Sequence, residues 1–380
     1  MRRLSFIWVR PYKRLGKTTV KDWTTNPAGA TKQFANDQHT TKHITMKPFR
    51  LLSSLLISGS FLTSLAMAGE QEGEAPVFSI AAVADIQYAD TDPRGAREPR
   101  EGIARIKNAI SHWNKRDLDW GVVLGDIIDW DDIDYGKFPN KTIAIEPKRW
   151  QHTRDILAAW NTLNVPNYKV LGNHDYYVPY KDADGLSKPA SVFRAFGFKD
   201  KAYYEFTHKG YRFIVLDGDM SHLNYDIESK EYKEAKAYYD SLKGPARGIW
   251  SAGISSKQMD WLKGVLADAL NKKEPTVIMC HYPMHKPYGG HTLFNAVEMT
   301  TLLNQFPNVV MWMNGHDHRG AYQKIGNRHH LNLKGMQNEA ENWYQIDFSP
   351  ESITVYQAED LKTPKYELLL SWPPKEASRK

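Results

Sequence analysis

Short apolar runs recur along this chain, and most of them break off at polar residues. "VFSIAAVA" (77–84), "WGVVL" (120–124), "YKVL" (168–171), "YRFIVL" (211–216), "PTVIM" (275–279) and "NVVMWM" (308–313) have strand length and little alternation, the pattern of strands covered on both faces. Between the first two runs, Ile103, Ile106, Ile110 and Trp113 recur at spacings of three, four and three, which is one face of a helix. A second helix is expected around Trp150 to Leu163, with Ile156, Leu157 and Trp160 turned inward. A third begins at Ser255, whose capping-box spacing to Gln258 precedes Met259, Leu262, Val265 and Leu266. The last third carries strands alone, in "HHLNLKG", "WYQIDF", "SITVYQ" and "KYELLLS". Strands alternating with helices predict a parallel sheet with crossover helices, and the closing strands predict antiparallel additions. Neither internal repeats nor low-complexity tracts interrupt the pattern.

Composition changes this picture at one end only. With 41% hydrophobic residues in 380, the chain can bury a large core, and disorder as a whole is excluded. The formal net charge of +6 suggests a nucleic-acid partner until its distribution is read. Residues 1–68 hold 11 Lys and Arg against 2 acids, which leaves 39 against 42 in the rest. The globular part is mildly acidic, so no nucleic acid is expected as a partner.

That basic end contains "MKPFRLLSSLLISGSFLTSLAMAGE", with Lys47 and Arg50 ahead of an apolar centre from Leu51 to Leu65 and a small-x-small site at Ala66-Met67-Ala68. These are the three parts of a secretory signal, and the apolar centre is short of the roughly 20 residues of a spanning helix. Residues 46–68 are therefore expected to be a signal peptide, and the mature protein exported to the periplasm or exterior of a bacterial host. No stable membrane span is expected. Residues 1–45 resemble no targeting signal and are expected to be a misassigned, disordered upstream segment, with translation starting at Met46. Residues 69–76 ("GEQEGEAP") read as a linker, 77–362 as the catalytic domain, and 363–380 as a C-terminal strand and tail. The single Cys280 can form no internal disulfide.

Chemistry enters at the strand ends, because ligands of open α/β sheets bind beyond the carboxyl ends of the strands. The first run ends in Asp85 and Gln87, two positions apart; in an extended backbone both side chains point the same way, and two oxygen donors aimed together suggest a cation. A polar turn explains the same residues. "LGDIID" then supplies Asp126 and Asp129, "LGNHD" supplies Asn173, His174 and Asp175, "CHYPMH" supplies His281 and His285, and "NGHDHRG" supplies His316 and His318. Five strand ends rich in metal-binding side chains exceed what local turn chemistry produces, and together they predict a metal site. Cys280 precedes His281 on one strand, so pleating turns it to the opposite face. Asp217 and Asp219 in "IVLDGDM" read as a turn.

In order and spacing these motifs resemble the calcineurin-like metallophosphoesterases, whose pattern is D-x-H, G-D-x-x-D, G-N-H-D/E, H and G-H-x-H. The resemblance runs from about Val77 to Gln357. Gln87 stands where most of that family has His, and in this the chain is similar to the manganese-dependent ADP-ribose/CDP-alcohol diphosphatases, which also look alike at "ADIQYAD", "HYPMH", "GHDHRGAY" and "HHLNLKGM". The resemblance implies a four-layer αββα sandwich of two facing mixed sheets with helices outside. It implies two divalent metal ions, Mn²⁺ or Mg²⁺, the first held by Asp85, Gln87, Asp126 and His318, the second by Asp126, Asn173, His281 and His316. An amide oxygen in place of imidazole hardens the first site toward those ions and away from zinc. With only Asp85 and Asp126 anionic, the centre stays positive and attracts a diphosphate.

The activity so implied is hydrolysis of the diphosphate bond of a small nucleotide derivative by metal-activated hydroxide, with His174 stabilising the transferring phosphoryl or protonating the leaving group. Asp175 or Asp129 orients these groups or caps a turn. Arg97, Arg100 and His285 are candidate substrate contacts, and one of Tyr88, Tyr176, Tyr177 and Tyr288 is a candidate for stacking on a base. Pro99 and Gly102 replace a Tyr and a Ser that the diphosphatases usually carry beside Arg97 and Arg100. An exported phosphodiesterase or phosphatase of broad specificity and an inactive metal-stabilised binding protein remain as alternatives. A purple acid phosphatase does not fit, since Asp129 stands where that group needs a metal-binding Tyr.

Overall fold

In β1 (Phe78–Val83) successive side chains enter two different cores, and the layers of the molecule follow from that alternation. The computed structural model describes residues 77–129, 148–243, 248–285 and 291–373. From β1 the chain passes through α1 (Gly102–Trp113), β2 (Trp120–Leu124), α2 (Lys148–Trp160), β3 (Asn167–Val170), α3 (Ala190–Phe196), β4 (Tyr204–His208) and β5 (Tyr211–Leu216). Next come α4 (Lys230–Ser241), α5 (Ser256–Asn271), β6 (Thr276–Cys280), α6 (Ala296–Leu303), β7 (Val309–Asn314), β8 (Arg319–Ile325), β9 (Arg328–Lys334), β10 (Trp343–Phe348), β11 (Ser352–Gln357) and β12 (Tyr366–Leu369). Two six-stranded sheets result, in the orders β12-β11-β10-β1-β2-β3 and β4-β5-β6-β7-β9-β8. Both are mixed. β1, β2 and β3 are parallel, as are β5, β6, β7 and β9, while β10, β11, β12, β4 and β8 pair antiparallel.

Phe78, Ile80 and Ala82 of β1 pack with Phe213 and Val215 of β5, Val277 and Met279 of β6 and Met311 of β7, so this core lies between the sheets. The alternate residues Ala81 and Val83 meet Ile106, Ile110 and Trp113 of α1 and Ile156 and Trp160 of α2. On the second sheet, Ile214, Ile278, Cys280 and Trp312 meet Met259, Leu262 and Leu266 of α5. The architecture is the expected αββα sandwich. Cys280 faces the helix layer, as pleating predicted, and burial pushes its thiol up to about 12.

The Ser255 cap is formed, its hydroxyl accepting from the Gln258 backbone N–H at 3.3 Å. β4, β8, α3, α4 and α6 are additions to the sequence-based expectation. β4 and β8 are half-covered edge strands, and α4 buries only Ala235, so none of the three presents a long apolar run. The strand expected after residue 362 is β12; it pairs with β11 and so belongs to the same sheet as β1. Among the described residues no helix is long and apolar enough to cross a membrane. The readings for residues 1–76, and Tyr288, lie outside the described residues.

Candidate metal centre

β1 ends at Val83, before the pair that its pattern seemed to carry, so the expected pleated alternation is not what aims Asp85 and Gln87. Both residues lie in the loop with left-handed backbones, at φ 53° and 49°. Asp126 (54°) and His316 (70°) share that uncommon conformation. A non-glycine residue there costs of order 1 kcal/mol or more, so the surroundings must impose it. Asp85 N–H donates to the Gly125 carbonyl at 3.1 Å and Gln87 N–H to the Asp126 carbonyl at 3.0 Å, tying the loop after β1 to the loop after β2.

The loops converge on Asp126. Its carboxylate belongs to two groups whose ligand atoms lie within 4.8 Å of one another, Asp126 with His281 and His316, and Asp85 with Asp126 and His318. His281 Nε2 is 3.2 Å from Asp126 Oδ2 and 3.1 Å from His316 Nδ1. His318 Nε2 is 3.5 Å from Asp85 Oδ1 and 3.2 Å from Gln87 Nε2. His281 Nδ1 faces the Leu124 carbonyl at 2.7 Å. Donation there fixes the tautomer and leaves Nε2 with its lone pair toward the centre. A Cβ at Gly125 (φ 88°) would stand 2.6 Å from His281 Nδ1, so this glycine supplies both the turn and the room for the ring.

Several buried atoms at the centre lack any protein partner. Gln87 Oε1, Asn173 Oδ1 and His316 Nε2 are all in this position. Leaving a buried acceptor unpaired costs about 1–3 kcal/mol. The Asn173 amide is nonetheless oriented, since its Nδ2 donates to the Tyr177 hydroxyl at 3.2 Å. Oxygen and imidazole donors around a shared carboxylate suit divalent ions, so the residues present fit two such ions with Asp126 between them.

Electrostatics agree. Burial alone would raise the Asp126 carboxyl, but His281 and His174 hold it well below the usual carboxylate range. Against burial, the same contact lifts His281 to about 9. Asp175 behaves oppositely: burial and the neighbouring Asp126 push it up to about 7. It accepts from the backbone N–H groups of Asp126, Ile127 and Gly172 at 2.9, 2.8 and 2.8 Å, and so holds the Asp126 loop against the loop that carries Asn173.

His174 stands over Asp126, with Nε2 3.8 Å from its Oδ2 and Nδ1 3.1 Å from Asp129 Oδ1. Arg94 and Arg97 reach Asp129 at 2.9 and 3.2 Å. Burial raises the Asp129 carboxyl, and His174 and the two arginines outweigh it, leaving the group below its ordinary value. A cavity of about 260 Å³ opens beside these groups, lined by Arg97, Asp126, Asn173, His174, His316 and His318. Trp250 and His291 complete its wall, with rings 5.6 Å apart. Sequence reasoning missed both, because neither sits at a strand end nor in a recognisable motif.

Other candidates lie elsewhere. Arg100 is on the surface, bonded to Asp90 and Asp92 at 2.8 and 2.9 Å. His285 packs edge-on against His330 with ring centres 4.4 Å apart, outside the cavity lining. Tyr88 packs into the α1 and α2 core, and Tyr176 donates to Asp217 at 2.9 Å. Asp217 and Asp219 are more than the turn expected of them. Asp217 is buried at the end of β5, and Asp219 accepts from Ser255 N–H at 2.7 Å at the start of α5.

The family model described as calcineurin-like phosphoesterase matches residues 78–320. A manganese-dependent ADP-ribose/CDP-alcohol diphosphatase of Arabidopsis thaliana is 29% identical over 272 residues, 65% of this chain and 82% of that protein. The protein of the same name from Xenopus laevis is 27% identical over 330 residues, 76% and 87% of the two chains. Among solved structures, a dimetal phosphatase from Danio rerio superposes with a TM-score of 0.63 at 21% identity, covering 78% of this chain and all of that one. That likeness extends to the fold.

Proposed function

The chain belongs to the calcineurin-like phosphoesterases, and on that premise we propose that it hydrolyses the diphosphate bond of nucleoside diphosphate derivatives, of the ADP-ribose or CDP-alcohol type for which its relatives are named. The observation that carries the reading is the membership of one carboxylate, Asp126, in both ligand groups. Asp85, Gln87, Asp126 and His318 would hold one divalent ion, and Asp126, Asn173, His281 and His316 the other, Mn²⁺ being the ion for which the relatives are named. Bound there, two such ions polarise a phosphoryl group and lower the pKa of a coordinated water.

The chain's own groups do the rest. His174 turns Nδ1 to Asp129 at 3.1 Å, which leaves Nε2 facing Asp126 and the cavity, where it would hydrogen-bond a phosphoryl oxygen or deliver a proton to the departing oxygen. Arg97 lines the same cavity while paired to Asp129, so it offers a second guanidinium edge to a phosphate and steadies the carboxylate behind His174. Trp250 and His291 supply an aromatic wall against which the rest of a nucleotide can lie.

A second reading, a phosphodiesterase or phosphatase of broad specificity, is favoured by the position of Arg100, whose charge is spent on Asp90 and Asp92 at the surface. Rates on ADP-ribose, CDP-glycerol, 2',3'-cyclic AMP and a phosphomonoester with Mn²⁺ separate the two. We expect kcat/KM on one of the two diphosphates to exceed the others by about tenfold or more. The reverse order would overturn the diphosphatase reading, and absence of all turnover would leave the metal-stabilised binding protein. We also propose export, on the signal-like pattern of residues 46–68; N-terminal sequencing of the native protein should begin at Gly69, and a mature chain that retains residues 46–68 would sink that idea.

A further inference from the structure

A second cavity, of about 850 Å³, shares no lining residue with the metal centre. It lies among the loop after β5, α4 and the first turn of α5, and six carboxylates and two lysines line it. One of those lysines, Lys201, is already stacked over Tyr203 and Trp261, 4.5 and 5.2 Å from the ring centres. The lining is therefore predominantly acidic.

Asp217 and Asp219 stand at its floor and, among the described residues, neither forms an ion pair with a Lys or Arg. Asp217 accepts from the Tyr176 hydroxyl, and Asp219 from the Ser255 backbone N–H and hydroxyl at 2.7 and 2.5 Å. Carboxylate oxygens can each take a further donor. Asn224 adds a separate observation. It lines the cavity at 1% exposure and gives its Nδ2 to the Gly218 carbonyl at 2.9 Å, yet its Oδ1 has no partner. A buried acceptor without a donor is rare in a native fold. Tyr225 and Tyr238 also line it.

We propose that this cavity, lined by Asn224 with its unpaired Oδ1, by the Asp217 and Asp219 carboxylates and by Tyr225 and Tyr238, binds a protonated alkyl amine of the diamine class. An ammonium group supplies the N–H donor that Oδ1 lacks, neutralises the two aspartates and lies favourably against an aromatic face. A metal ion fits less well. The side-chain groups tight enough to hold one, among the described residues, are both at the Asp126 centre. A quaternary ammonium fits less well too, since it brings no N–H. Burial and the neighbouring Asp219 push Asp217 up to about 8, a cost that a paired ammonium would offset.

Isothermal titration of the full, Mn²⁺-loaded chain with 1,4-diaminobutane tests the proposal, with tetramethylammonium as the second probe. We expect one saturable site for the diamine, weakened about tenfold or more by Asp219→Asn. Glu298→Gln alters an exposed side chain of the same cavity, leaves folding unaffected and should weaken binding a few-fold. Asp126→Asn should leave it unchanged, which separates this site from the proposed phosphoesterase centre. Absence of saturation up to about 10 mM, binding indifferent to both cavity variants, binding lost in Asp126→Asn, or tetramethylammonium binding as tightly as the diamine would each overturn it.

Discussion

Asp129 Oδ1 lies 3.1 Å from His174 Nδ1, with Arg94 and Arg97 on the same buried carboxylate. The pair joins the second strand end to the third and fixes which ring nitrogen of His174 faces the cavity.

Asp129→Asn keeps the shape of that contact and removes its charge. We expect kcat on the best diphosphate substrate to fall about 10- to 100-fold with KM changed little, because the imidazolium that donates the proton loses its counter-charge. The pH-rate profile should lose or shift its limb for that proton donor. An unaltered profile with a proportionate loss of folded protein would show a merely structural role.

Asp126→Asn should nearly abolish turnover, since an amide cannot bridge two cations with the charge of a carboxylate. Elemental analysis should find fewer than two metal ions per chain. Activity within a few-fold of wild type would refute the bridging role.

Gln87→His tests ligand softness. An imidazole nitrogen in place of the amide oxygen should move metal preference toward zinc, cobalt or nickel. Gln87 is wholly buried and contacts Asp126 and His318 at 3.2 Å each. The exchange should therefore also cost about 1–3 kcal/mol of stability through overpacking. An unchanged order of activation by Mn²⁺, Mg²⁺, Co²⁺ and Zn²⁺ would show that Gln87 does not choose the metal.

His222 should contribute to the loss of stability in acid. Its ring is 1% exposed against Tyr239 and Tyr232, with centres 5.0 and 5.7 Å away, and burial, followed by Lys236, pulls it down to about 4. The unfolded chain, with an ordinary His near 6.5, binds the proton first, so stability present above pH 6.5 is lost as pH falls toward 4. The loss is about 3 kcal/mol at most. His222→Phe should remove this limb, seen as a smaller drop in the urea midpoint between pH 7 and pH 4 than in wild type. Equal drops would exclude the histidine as the cause.

Much of the fold was legible because fully buried strands and one-faced helices carry their periodicity in the chain: "YRFIVL", "WYQIDF" and "SITVYQ" are β5, β10 and β11 to the residue. Edge strands β4 and β8 and the exposed α4 were not, since half-covered elements bury too little to leave a pattern. The polar residues that face one another across Asp126 were legible for a related reason, as they follow buried strands or lie in motifs that carry their own signal.

What the chain alone determined was which side chains are available, in what order, and that five strand ends would present them. Only the tertiary structure decided how they meet. Left-handed backbones at Asp85, Gln87, Asp126 and His316, not the pleat, turn these side chains inward, and such conformations are stable only when hydrogen bonds between distant loops enforce them. The same long-range packing brought Trp250 and His291 to the cavity, carried Arg100 and His285 away from it, and closed a second, acidic cavity around Asp217 and Asp219. These outcomes depend on contacts between segments tens to hundreds of residues apart, for which no local pattern exists to be read.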